Sequence, residues 1–243
     1  MTKIKNKTIN GIISAVFVIA LILFIITASI GLPIYFRPFY YSQIDTLGIK
    51  EEVMYYSDAL ELGFTEEQIT NEVLKEAYDE VLDYLTVGTE FGTGIFKYSE
   101  SGKSHFVDCK VLFDLNATVL IISFALVVTI ILLAKFKVIK LAKPFGFNLF
   151  FFAGCGTLAV FAIVGALAAI DFDTAFTVFH KILFPGKDNW YFDPRHDQII
   201  LALPQEFFMG CAILIFVSII VLTSASIIYG VIDKKKSKLP TLN

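Results

Sequence analysis

The chain is poor in the features that most often fix a chemical assignment. It has three cysteines, and Cys155 and Cys211 fall inside long apolar runs, leaving only Cys109 outside. No pair remains to staple an exported domain with a disulfide. There is no His-Glu-x-x-His and no pair of CxxC motifs, so the spacing of a zinc site is missing. A Walker A loop, a Gly-rich dinucleotide loop and an Asp-x-Asp-x-Asp-Gly calcium loop are also absent. So is the Gly-x-Ser-x-Gly elbow of a serine hydrolase. No Arg/Lys patch suggests nucleic acid, and none is expected as a partner. Charge almost vanishes from the apolar runs. That argues against a proton pump or ion-coupled transporter, which places ionisable groups there.

What remains is largely hydrocarbon. The sequence is 56% hydrophobic with 25 Phe, and no separate segment of ordinary soluble composition stands out. Four apolar runs occupy 11–32, 117–134, 145–170 and 207–232. A bilayer core takes about 20 helical residues to cross. Hydrocarbon offers backbone N–H and C=O groups no partner, so these runs are expected to be helices. They do not alternate as barrel strands would. The first run has the basic start of a signal peptide, but it is too long for one and three more runs follow. It reads as an uncleaved anchor. The expected fold is an all-α membrane protein: four transmembrane helices and a small, mainly helical extracytoplasmic cap.

Lysine sets the expected orientation. Lys3, Lys5 and Lys7 precede the first run. Lys135, Lys137, Lys140 and Lys143 lie in the 135–144 connection, and Lys234, Lys235, Lys236 and Lys238 in the 233–243 tail. Asp233 is the only acid among them. The 33–116 and 171–206 segments hold all the other acids. Both termini are therefore expected in the cytoplasm, and the two acidic segments outside.

The first outer segment opens at Pro33, expected to end the first span. Tyr35, Phe36, Phe39, Tyr40 and Tyr41 follow, placed as an interfacial belt. Arg37 among them could grip a phosphate or carboxylate, or simply snorkel. Residues 65–85 read as a surface helix. Thr65 and Gln68 form a capping-box pattern, and Ile69, Val73, Ala77, Val81 and Leu85 form an apolar stripe. A shorter helix is expected over 49–62, and a loop or hairpin over 86–104. In the second outer segment, Pro185-Gly186 and Asp193-Pro194 mark turns. The 179–184 run is either strand or helix end.

All three histidines, His105, His180 and His196, lie in these two segments. If 105–113 is helical, His105 shares a face with Asp108 and Cys109, and Asp108 could fix the imidazole tautomer. His180 lies just beyond the third run. Two histidines outside separate spans could meet, and general acid/base work near neutral pH suits them. Cys109 could be a covalent nucleophile beside His105. His196 looks like an exposed turn residue. From residues alone, a non-enzymatic membrane sensor or accessory subunit with an acidic binding domain remains the alternative.

Three motifs carry a family resemblance: H-x-x-D-x-K-x-L-F at His105 to Phe113, F-H-K-I-x-F at Phe179 to Phe184, and W-Y-F-D-P-x-x-D at Trp190 to Asp197. The pattern, with the number and order of spans, resembles the lipoprotein intramolecular transacylases of low-GC Gram-positive bacteria. The resemblance implies an acyltransferase acting on diacylglyceryl-modified lipoproteins. It would move the sn-2 acyl chain to the free α-amino group of the N-terminal cysteine, giving the lyso form. Donor and acceptor are one molecule, so no cofactor is implied, and membrane lipid is the other partner. The implied catalytic pair is His105 and His180. Asp108, Arg37, Trp190 and Asp193 are candidates for substrate binding or support. Which histidine is base and which is donor stays open at this point.

Overall fold

The computed structural model describes residues 7–237. Lys3, Lys5 and Lys238, used above for orientation, lie outside them. The described chain is helical, with loops and no strand. It contains α1 (Lys7–Tyr35), α2 (Pro38–Thr46), α3 (Ile49–Ala59), α4 (Asn71–Val87), α5 (Glu100–Lys135), a 3-10 turn (Pro144–Gly146), α6 (Leu149–Ile170), α7 (Phe172–Leu183), α8 (Ile199–Ala202) and α9 (Gln205–Lys236). Of these, α1, α5, α6 and α9 are long and apolar enough to cross a membrane.

The chain divides into two compact units. The first takes Met1–Ile30, Asn116–Leu167 and Ile215–Asn243. Phe17, Leu21 and Ile25 of α1 pack there with Val127 and Ile130 of α5 and Leu149 and Ala153 of α6. A Cβ on Gly154 of α6 would lie 2.9 Å from the Thr223 carbonyl of α9, so only glycine permits that approach. Small residues that let backbones close in are the usual device where lipid surrounds a bundle. Two buried hydroxyls bond back to their own helix: Ser29 Oγ donates to the Ile25 carbonyl at 2.8 Å, and Thr223 Oγ1 to the Ile219 carbonyl at 2.7 Å. Ile121, Ile163, Leu167 and Val221 point outward and are exposed. A surface this apolar is a lipid-facing one.

The second unit takes Gly31–Leu115 and Ala168–Leu214. Its core joins Tyr40 and Ile44 of α2, Ile49 and Val53 of α3, Leu74, Tyr78 and Leu82 of α4, and Ile199 of α8. Fully burying side chains of this size stabilises by roughly 1.5–3 kcal/mol each. The Tyr40 and Tyr78 rings stack at 3.9 Å, and Tyr40 Oη donates to the Ala202 carbonyl at 2.7 Å.

Two sequence expectations need correction. Pro33 does not end α1, which runs on to Tyr35 with Phe36 N donating to the Leu32 carbonyl at 3.0 Å. A proline this close to a helix end removes few intrahelical bonds. The helix expected from residue 65 starts at Asn71, capped by Thr70, whose hydroxyl accepts from Val73 N. Gln68 Oε1 does accept from Thr65 N, but that pair closes a separate turn. The buried face of α4 is consequently carried by Leu74, Tyr78 and Leu82 besides Ala77, Val81 and Leu85, while Val73 is only partly buried. Of the two readings left open for the 179–184 run, the structure shows the helix end: it belongs to α7 and its C-cap.

Candidate active site

His105 owes its position to the start of α5. Ser99 donates to Asp197 Oδ1 from both its N–H and its hydroxyl at 2.8 Å, and Ser99 Oγ accepts from Gly102 N at 2.9 Å. This side-chain cap satisfies a backbone group that the helix itself leaves free. A Cβ on Gly102 would stand 2.1 Å from Asp197 Oδ1, so glycine is required for the close approach. His105 follows less than a turn later.

His180 sits in the last turn of α7. That helix starts at Asp171, which accepts from Thr174 N at 2.9 Å and from its hydroxyl at 2.7 Å. His180 Nδ1 lies 2.8 Å from the Phe176 carbonyl one turn back. A carbonyl can only accept, so Nδ1 carries the proton and Nε2 keeps a free lone pair.

The two rings meet with centroids 5.8 Å apart, each 7% exposed. Phe184 and Phe192 pack edge-on to His105 at 4.8 and 5.6 Å. Phe176 covers His180 at 4.2 Å, and Trp190 stacks on it at 4.7 Å with 23° between planes. Burial in this aromatic box, reinforced by His180, pushes His105 down to about 4. Burial also lowers His180, with the Phe176 carbonyl working the other way. Both histidines are neutral at pH 7.

Asp108 does not bond His105 directly, as the sequence suggested it could. Its carboxylate takes Lys187 Nζ at 2.5 Å and Asn189 Nδ2 at 2.9 Å, and these partners hold it below the usual carboxylate range. The Asn189 amide also reaches Ser104 Oγ at 3.2 Å. Ser104 and Asp108 flank His105 on α5, so the Asn189 amide spans the helix beside the imidazole. Asn189 Oδ1 and His105 Nδ1 are both buried there without a hydrogen-bond partner. Cys109 Sγ lies 3.3 Å from His105 Nε2, and burial pushes its thiol up to about 12.

The other sequence candidates sort differently. Trp190, a candidate for substrate binding or support, is only 8% exposed and lies on His180, with Nε1 donating to the Lys187 carbonyl at 3.0 Å. Asp193 serves its own turn, accepting from Arg195 N at 3.0 Å and lying 3.3 Å from His196 Nδ1. Arg37 is tied to Asp79 at 3.0 Å and to Asp83, so its charge is spent within the cap. His196 is an exposed turn residue. Sequence reasoning missed Asn189, Lys187 and the Phe176 carbonyl. The available signal for Asn189 was its place immediately before the W-Y-F-D-P motif.

The family model for "Lipoprotein intramolecular transacylase Lit" matches residues 15–208. The chain belongs to this family. Among solved structures it resembles the membrane integral Lit of Bacillus cereus, with a TM-score of 0.78 and 26% identity over 97% of this chain and 100% of that one. Two histidine variants of the same Bacillus cereus protein also match. The His-to-Arg form gives a TM-score of 0.72 at 25% identity, covering 95% of this chain and 94% of that one. The His-to-Ala form gives 0.70 at 26%, covering 94% and 96%. No curated protein matches. As a Lit-family member, the chain is a multi-pass all-α membrane protein and an acyltransferase, catalysing intramolecular acyl transfer in lipoproteins. Nothing observed supports the non-enzymatic sensor.

Proposed function

We propose that His180 and His105 jointly move the sn-2 acyl chain of a diacylglyceryl-cysteine onto its own α-amino group. The observation carrying this reading is the meeting of two buried, neutral imidazoles from segments far apart in sequence. An α-amino group has pKa about 8 and is partly ammonium near pH 7. On its way to an amide, the ammonium nitrogen sheds two protons, and the glyceryl oxygen gains one as the acyl C–O bond breaks. Two proton acceptors match this need.

The asymmetry of the pair supports a division of roles. His180 lies in the last turn of α7, where the helix dipole favours a cation. Burial lowers both imidazoles, but on His180 the Phe176 carbonyl works against that shift. His180 Nε2 takes the first proton from the ammonium. The resulting N–H then donates to the carbonyl oxygen as it becomes an oxyanion, and passes its proton to the leaving glyceryl oxygen. His105 Nε2 accepts the second proton from the nitrogen and releases it to water, as the one net proton the transfer gives off. Asn189 fixes His105 for this task. Asp108 requires an N–H from the Asn189 amide, so Oδ1 is the end left for the ring. An Nδ1–H facing Oδ1 would satisfy both unpartnered atoms and keep Nε2 as the acceptor. Nucleophile and ester are already joined, so the enzyme supplies orientation more than encounter.

The proposed orientation places both termini and the 135–144 connection in the cytoplasm and the histidine site at the extracytoplasmic face. Membrane lipid then surrounds the substrate's acyl chains while its head reaches the histidines. Cysteine labelling in intact cells should reach position 66 and spare position 137. External labelling of position 137 overturns the orientation.

Mass spectrometry of a lipoprotein N-terminal peptide tests the chemistry. His105→Ala and His180→Ala should each reduce conversion by about 10²–10⁴-fold. The double variant should be little worse than either, because members of one catalytic unit are not additive. Near-parental conversion by either single variant ends this reading.

A further inference from the structure

A second site lies in the other unit, at the lysine-rich ends of the long helices. A cavity of about 1340 Å³ opens there among the first turns of α1, the 137–143 loop, the start of α6 and the end of α9. Its apolar part is formed by side chains such as Phe17, Ile131 and Phe150. Lys7, Lys137, Lys140 and Lys143 stand around it, against one acid, Asp233. Lys143 already pairs with Asp233 at 2.8 Å, and nearby Lys234 lies over the Phe147 ring at 3.6 Å. Lys7, Lys137 and Lys140 meet no carboxylate among the described residues.

The loop carrying two of these lysines is fastened down. Lys140 N donates to Asn10 Oδ1 at 3.1 Å, and Ala142 N to Ser14 Oγ at 2.9 Å. Lys137 is held at φ 58°, a left-handed conformation unfavourable for a non-glycine residue. Asn148, also on the cavity wall, buries its Nδ2 without any acceptor. A buried amide donor left unpaired is costly, and a ligand oxygen would relieve it.

We propose that this cavity binds one anionic phospholipid. Lys7, Lys137 and Lys140 neutralise the headgroup phosphate, Asn148 Nδ2 donates to one of its oxygens, and the apolar wall takes the upper part of an acyl chain. Basic pockets between membrane helices commonly hold such headgroups. A free phosphate would leave the apolar wall unused. The site is separate from the histidines and independent of the roles assigned to them.

The test uses the full chain purified in mild detergent. Native mass spectrometry and thermal unfolding are followed while phosphatidylglycerol, phosphatidylcholine or inorganic phosphate is added. One phosphatidylglycerol should be retained per chain and should raise the unfolding temperature more than phosphatidylcholine does. Lys137→Gln/Lys140→Gln should weaken that binding by on the order of 10–30-fold. Lys50→Gln/Lys97→Gln, the same charge loss in the other unit, should leave it unchanged. Equal effects of the two lipids overturn the proposal whether or not the double variant folds. So does full reproduction of the shift by phosphate alone, or undiminished binding in the folded Lys137/Lys140 variant.

Discussion

Replacing Asn189 with leucine removes both ends of the amide at nearly constant volume. Asp108 loses one donor but keeps Lys187, so that end costs about 1 kcal/mol. At the other end His105 Nδ1 remains buried with nothing to hold its proton. The imidazole is then free to carry the proton on Nε2, where it can no longer accept one from the substrate. Substitution of a group that orients a reactive side chain typically costs 10–100-fold. That corresponds to about 1.4–2.7 kcal/mol of barrier. The expected loss is smaller than for either histidine, because the ring stays in place and the competent tautomer remains accessible. Initial rates of lyso-lipoprotein formation, measured by mass spectrometry across pH, give the diagnostic. The plateau should fall, and the acid limb should stay where it is, since His180 and its Phe176 carbonyl are untouched. An Asn189→Leu enzyme that retains its parental rate refutes the positioning role. So does one whose whole loss is explained by a lowered unfolding temperature.

Two further outcomes follow from the site. Folded His105 stays neutral down to about pH 4, whereas its unfolded counterpart takes a proton below about 6.5, so the unfolded state binds more protons in between. Stability should therefore fall as pH drops through that window, by up to about 3 kcal/mol; a His105→Phe variant that unfolds with the same pH dependence would remove His105 as its source. Cys109→Ala should keep most of the activity, because a thiol pushed up to about 12 supplies almost no thiolate at neutral pH; an acyl thioester trapped at Cys109 would replace direct transfer with a covalent route.

The sequence made the long helices legible because lipid imposes one rule on uninterrupted stretches of chain. The histidine pair was legible through motifs at His105 and Phe179-His180, although neither residue is distinctive alone. The Asp108–Asn189–His105 arrangement was not, since it joins positions about 80 residues apart and no periodicity encodes that meeting. The start of α4 was misread because Thr65 and Thr70 both offer capping chemistry. Leu74 and Tyr78, one position on from the stripe read through Val73 and Ala77, pack in the core of the helix that Thr70 caps. The contact made by Trp190 was not legible either. An indole near a membrane surface suits an anchor, and only the fold reveals that its face is occupied by His180.

That stacking has a spectroscopic consequence. The chain contains a single tryptophan, and it lies against the imidazole proposed to carry the proton. Tryptophan emission from the native protein therefore originates beside His180 alone. An imidazolium is a stronger quencher of indole than neutral imidazole, so the emission is an internal optical readout of His180's protonation state. It requires no label and has no background from a second indole.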